Sequence, residues 1–235
     1  MKEASAMKIR VKFRKLGLMK FVGHLDMVRY FQKAIRRAKI QAAFTKGYNP
    51  HIIMSFAHPL GVGLTSEAEY LDIELEKTIT SKSAIKQLNE VMAEGVEVVD
   101  FIEIAPEKKH AGMSIVAAAD YLVPRMVLVE NKIDISSIKS FINQESIMVT
   151  KKSKRSEKIV DIKPLIYKID CLQAGLFMQV ATGSKENLKP GLVIEALFKF
   201  LDINYCKHIT YHRTEIYADI NGELMPLSEL GKEVL

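Results

Sequence analysis

The sequence predicts an α+β protein built as two tandem ferredoxin-like (split βαβ) domains, with antiparallel sheets and helices on one face. Three observations predict it. Strands with period-two alternation recur along the chain, helices with three-and-four spacing separate them, and the order strand, helix, strands, helix, strand occurs twice. The expected boundaries are 7–106 for the first domain, 107–119 for a linker rich in Lys, Ala, Gly and Ser, and 120–235 for the second domain. A single larger α+β domain is the alternative. Helices on one face would leave the opposite face of each sheet free to bind.

The elements follow in order. From Lys8 to Lys15, Ile9, Val11 and Phe13 alternate with Arg10, Lys12 and Arg14, which predicts a half-buried strand with a basic outer face. A helix is expected over 24–39. Leu25, Val28, Phe31, Ile35 and Ala38 form its apolar stripe, and Arg29, Lys33 and Arg36 form a separate basic row. Gln41–Thr45 and His51–Ala57 read as strands around a Gly47-Tyr48-Asn49-Pro50 turn. Glu69–Glu76 alternates again. Ser81 is the expected cap for a helix to Met92, and 96–104 is a strand. In the second half, Tyr121–Glu130 reads as a strand. Ile135–Gln144 reads as a helix with Ile135, Ile138, Phe141 and Ile142 inward. Strands are expected at 146–151, 158–169 and 176–182. A helix opening on Pro190 and a strand over 208–220 complete the set.

Composition excludes several classes. No run of apolar residues is long enough for a membrane span, and no secretion signal is expected, so a cytoplasmic location follows as the expectation. The two cysteines, Cys171 and Cys206, lack metal-ligand spacing, and no Cys triplet for an iron–sulfur cluster is present. His208 and His212 lack an identifiable third ligand. No metal and no cofactor is expected. The net charge of +6 permits an anionic partner without naming it.

Charge placement is more informative. Between residues 8 and 48, Asp26 is the only acidic residue among Arg10, Lys12, Arg14, Arg29, Lys33, Arg36, Arg37 and other cations. The turn that follows carries Phe44, Lys46, Tyr48, Asn49 and His51. Cations beside flat side chains suit phosphates and exposed bases, so these residues are expected to bind RNA. The plainer reading is a solvated helix face and a stiff turn. Five cations occupy residues 151–158, and Lys151, Lys152, Lys154 and Arg155 are expected to extend the grip. Asp26 reads as a helix-dipole partner. His24 reads either as part of a helix start or as a candidate for acid–base catalysis.

The residues Lys8–Phe13, Gly23-His24-Leu25-Asp26, Arg29, Ala34, Arg36-Arg37-Ala38, Phe44–His51, Ser55-Phe56, Leu60–Gly63 and Ser66-Glu67 together resemble the radical SAM-linked (radical SAM-associated) protein family. This is a bacterial domain of unknown function, and the resemblance implies that this chain would be its stand-alone form. The sequence departs from it at Gln41-Ala42, where a Leu-Pro-like step is expected. The resemblance implies RNA, ribosome or tRNA metabolism and a radical SAM protein as partner. It implies no catalytic residue. The leading expectation is therefore an RNA-binding or substrate-presenting accessory protein without a reaction of its own. A metal-independent endonuclease using His24 is a second expectation, prompted by the remoter similarity of fold to CRISPR RNA-processing endoribonucleases. An adaptor that binds protein and no RNA is a third.

Overall fold

The computed structural model describes residues 7–106, 110–152, 157–205 and 208–235. In chain order it contains β1 (Met7–Lys15), α1 (His24–Arg37), β2 (Met54–Phe56), β3 (Thr65–Leu75), α2 (Ser81–Asn89) and β4 (Val96–Ile104). The short α3 (Gly112–Ile115) precedes β5 (Val116–Pro124), α4 (Arg125–Glu130) and α5 (Ile135–Ile142). Then come β6 (Met148–Lys152), β7 (Glu157–Asp161), β8 (Ile166–Leu172), β9 (Gly175–Ala181) and α6 (Pro190–Phe200). The chain closes with β10 (His212–Ile220), β11 (Glu223–Pro226) and β12 (Lys232–Glu233). It is a mixed α+β protein, with antiparallel pairing throughout the registers described below.

Two compact units divide the chain: Met1–Val116 with Glu215–Leu235, and Ala117–Thr214. The last twenty-one residues thus join the first unit, although they were expected to complete the second domain. The described part of the expected linker is structured. It carries α3 and the start of β5, where Ala118 and Ala119 are fully buried. At Gly112 and at the buried Ala118 and Ala119, small residues that read as linker composition sit in packed positions. Gly112 illustrates this: a Cβ on it would lie 2.7 Å from the Ala57 Cβ.

In the first unit the strand order is β12-β4-β1-β3, and β2 pairs with β3. β1 runs antiparallel to both β3 and β4, and β2 runs antiparallel to β3. β1 and β2 are therefore parallel to each other, with β3 hydrogen-bonded between them. Ile9, Val11 and Phe13 face a core shared with Met27, Phe31 and Ile35 of α1 and with Ala84 and Leu88 of α2. α1 forms because this apolar stripe recurs at helical spacing, while Met27 and Ala34 take core positions. Leu25, expected in the stripe, is 69% exposed, because it sits round the helix from Phe31. α2 is capped by Thr80, whose side chain accepts from the Ser83 amide. Ser81, the expected cap, is buried instead. Its hydroxyl donates to the Phe101 carbonyl and accepts from the Val234 amide, tying down the C-terminal segment.

The opposite face of this sheet is not free. Arg10 and Asp72 stand directly opposite across β1 and β3. Arg10 Nε donates to Asp72 Oδ1 at 2.8 Å and Nη2 to Oδ2 at 3.0 Å. The same guanidinium reaches the His110 carbonyl at 2.9 Å and the Leu227 carbonyl at 3.4 Å. Asp72 also accepts from the Gly112 amide at 2.7 Å. Segments around 110–112 and 227 cover the pair, and Arg10 is 1% exposed.

In the second unit β9 pairs antiparallel with both β5 and β8, and β6 pairs with β7 in a separate two-stranded hairpin. The expected strand at 121–130 ends at Pro124, and α4 follows, since proline cannot supply a ladder amide. α5 is capped by Asp134, which accepts from the Ser137 amide at 2.7 Å. Ile138 and Phe141 point inward, whereas Ile135 is exposed. α6 begins on Pro190 as expected.

Candidate nucleic-acid interface

The cations expected to act together separate into two groups. Those on β1 are engaged by acids from distant strands. Arg10 is buried against Asp72. Lys12 Nζ contacts Glu215 at 2.6 Å and lies 5.6 Å from the centroid of the Tyr70 ring. Arg14 is held between Glu67 at 2.6 Å and Glu97 at 2.8 Å, and its pKa is raised, first by the hydrogen bond to Glu97. Arg10 is therefore corrected from a nucleic-acid contact to a buried structural ion. Lys12 and Arg14 present little uncompensated charge. The Tyr70 hydroxyl donates to Glu215 at 2.6 Å. Burial, followed by the Glu215 charge, pushes this phenol far upward, so it stays neutral.

The cations on α1 remain outward. Arg29, Lys33 and Arg36 lie on one helix face, spaced four and three residues apart. Arg29 pairs with Asp26 at 3.1 Å, and both side chains are well exposed, so the pair is worth little. Among the described residues, Lys33, Arg36 and Lys46 have no carboxylate partner. Arg37 donates to the Val91 carbonyl at 3.0 Å. It lines a groove of about 480 Å³ with Lys39, Gln41, Lys77 and Glu90 and with the apolar Ile40, Ile79 and Val91.

The turn after α1 is closed at its base. Phe44 bridges Ile52, the Thr45 amide donates to the His51 carbonyl at 2.8 Å, and the His51 amide donates to Thr45 Oγ1 at 3.1 Å. The flanking segments form isolated bridges and the short β2 in place of two full strands. At the tip, Gly47 has a φ of +121°, a conformation side chains resist. Tyr48 beyond it is fully exposed, and Lys46, Asn49 and His51 are exposed as well. The guanidinium of Arg36 lies 5.7 Å from the centroid of the half-exposed Phe44 ring. That contact joins the basic helix face to the aromatic turn.

His24 is exposed at the start of α1, edge-on to the Phe56 ring with centroids 5.2 Å apart. A narrow crevice beside it is lined by Lys15 and Glu69, both buried. In the second unit, Lys151 lies on β6 with Nζ 3.4 Å from the Asn187 carbonyl. Lys154 and Arg155 lie outside the described residues, and only the backbone of Lys152 is described. Among the described residues no cluster of His, Cys, Asp and Glu could hold a metal ion, and no helix is long and apolar enough to cross a membrane.

Sequence reasoning missed Asp72, Glu67, Glu97 and Glu215 as the partners of the β1 cations. Only the strand register brings them together. It also missed an exposed apolar group, Leu18, Phe21, Leu25 and Val62, around the start of α1.

Fold and surface together define an α+β protein with a cationic helix face running into an exposed aromatic turn. The chain belongs to the family described as an uncharacterized protein conserved in bacteria (DUF2344), whose profile matches residues 8–190. No curated protein matches it. Among solved structures, it is similar to a chain in the crystal structure of a Cbf5-Nop10-Gar1 complex, at 10% identity and a TM-score of 0.47. The match covers 88% of this chain and 48% of that one, so this chain spans less than half of that chain's length.

Proposed function

We propose that this protein is an RNA-binding, substrate-presenting accessory protein, and that the α1 face and the 44–51 turn hold single-stranded RNA. The carrying observation is the Arg36–Phe44 contact at 5.7 Å, set beside a fully exposed Tyr48. Arg29, Lys33 and Arg36 offer charge to successive phosphates. Tyr48 offers a flat surface to a base, a contact worth about 1–3 kcal/mol by alanine substitution. The resemblance to the radical SAM-linked family supports the rest of the reading, in which a radical SAM protein receives the bound RNA and supplies the chemistry.

β4-β1-β3-β2 in the first unit and β5-β9-β8 in the second support tandem ferredoxin-like modules, with the β6–β7 hairpin as an insertion.

The test is a gel-shift titration with labelled single-stranded RNA at several salt concentrations. Arg29→Glu combined with Arg36→Glu weakens binding strongly and flattens the salt dependence, while Tyr48→Ala weakens it by at least about fivefold. Unchanged affinity in both variants removes this site. The crevice of Lys15 and Glu69 beside His24 favours one second reading, RNA cleavage. Loss of cleavage in His24→Ala with RNA binding retained would select it.

A further inference from the structure

The second unit holds a groove of about 440 Å³ that the RNA reading leaves unused. One wall is residues 146–150, consecutive and of both parities, so the groove runs along the edge of β6 as well as its face. The other wall is one face of α6, formed by Leu192, Glu195, Ala196 and Lys199. Phe141 and Phe200, whose ring centroids lie 5.8 Å apart, also line it.

The edge of β6 is chemically open. Among the described residues, β6 pairs with β7 alone. The Ile162 amide donates to the Ile147 carbonyl at 2.9 Å, and the Ile147 amide donates to Asp161 Oδ1 at 2.8 Å. Antiparallel alternation then directs the backbone groups of Val149 and Lys151 toward β7. Those of Met148 and Thr150 point to the opposite edge. A strand edge facing a helix across a groove of mixed polar and apolar lining is an arrangement that accepts an extended peptide as an added strand.

Charge selects the peptide. Lys151 stands directly opposite Lys158 across the hairpin, a like-charge pair that is destabilising by itself. Lys199 is the one cation and Glu195 the one carboxylate among the groove's lining residues, so the excess positive charge comes from Lys151 and Lys158 on the adjoining hairpin. A second copy of β6 would set lysines against lysines, the usual device that prevents edges from self-pairing. We propose that the β6–α6 groove docks an extended, acidic segment of a partner protein, with apolar residues at alternate positions, by strand addition.

The probe is a short fluorescein-labelled peptide alternating valine and aspartate, titrated against the full chain by fluorescence anisotropy. Saturable binding is expected, weakened about tenfold by Lys199→Glu and by Thr150→Pro, which removes an edge amide. Hydrogen exchange slows at the Met148 and Thr150 amides in the complex. Lys199 is exposed on α6, so its variant carries the test even if Thr150→Pro unfolds. Binding indifferent to Lys199→Glu, without protection of those amides, overturns the proposal. So does a groove that protects the same amides only with single-stranded RNA, or only by self-association of the chain.

Discussion

Arg10 and Asp72 show what burial does to an ion pair. Each is out of water, and each is compensated by the other and by backbone groups of segments 110–112 and 227. Removing one partner strands a buried charge, which costs about 3–5 kcal/mol. Asp72→Ala is therefore expected to lower the denaturant midpoint sharply, while Arg29→Ala at an exposed pair leaves it nearly unchanged. Equal effects in urea unfolding would contradict this assignment. Arg10 was legible in the sequence as a cation on an alternating strand. Its burial was not, because Asp72 lies sixty-two positions away and only the β1–β3 register sets the two opposite.

Whole elements were easier to read than single side chains. α1 and α6 repeat an apolar stripe at helical spacing, a local property that folding preserves. Their ends depend on single groups, and Asp134 at the start of α5 is an example. Its carboxylate accepts from the Ser137 amide and, with a smaller effect, from the Ser136 hydroxyl, which lowers its pKa. A depressed folded-state pKa gives a contribution present above the ordinary carboxylate pKa and lost as pH falls through the folded value. Asp134→Ala is thus expected to reduce thermal stability at neutral pH, with the difference from the unmodified protein shrinking in acid. A difference that grew on acidification would refute the cap. The 44–51 turn was legible in part: Gly47 and Pro50 marked it, but the bridges at its base replace the two strands expected there.

At the scale of the whole molecule, the C-terminal segment has a structural task within the first unit. Leu227 is fully buried and its carbonyl meets Arg10. Val234 joins the core cluster and exchanges backbone and side-chain bonds with Ser81. Deleting residues 227–235 is expected to uncover Arg10 and abolish cooperative thermal unfolding of this unit, followed by calorimetry. Retention of a single sharp transition at the original temperature would show that the segment is dispensable.

By itself the amino-acid sequence determined the α+β class, the main helices, the alternation of β1 and the concentration of positive charge before residue 48. Those are local patterns of period and composition. The tertiary structure decided which of these charges remain available. Ion pairing depends on which strands become neighbours, and acids at 67, 72, 97 and 215 reach β1 only after the sheet has formed. The α1 cations stayed outward because their helix buries its other side.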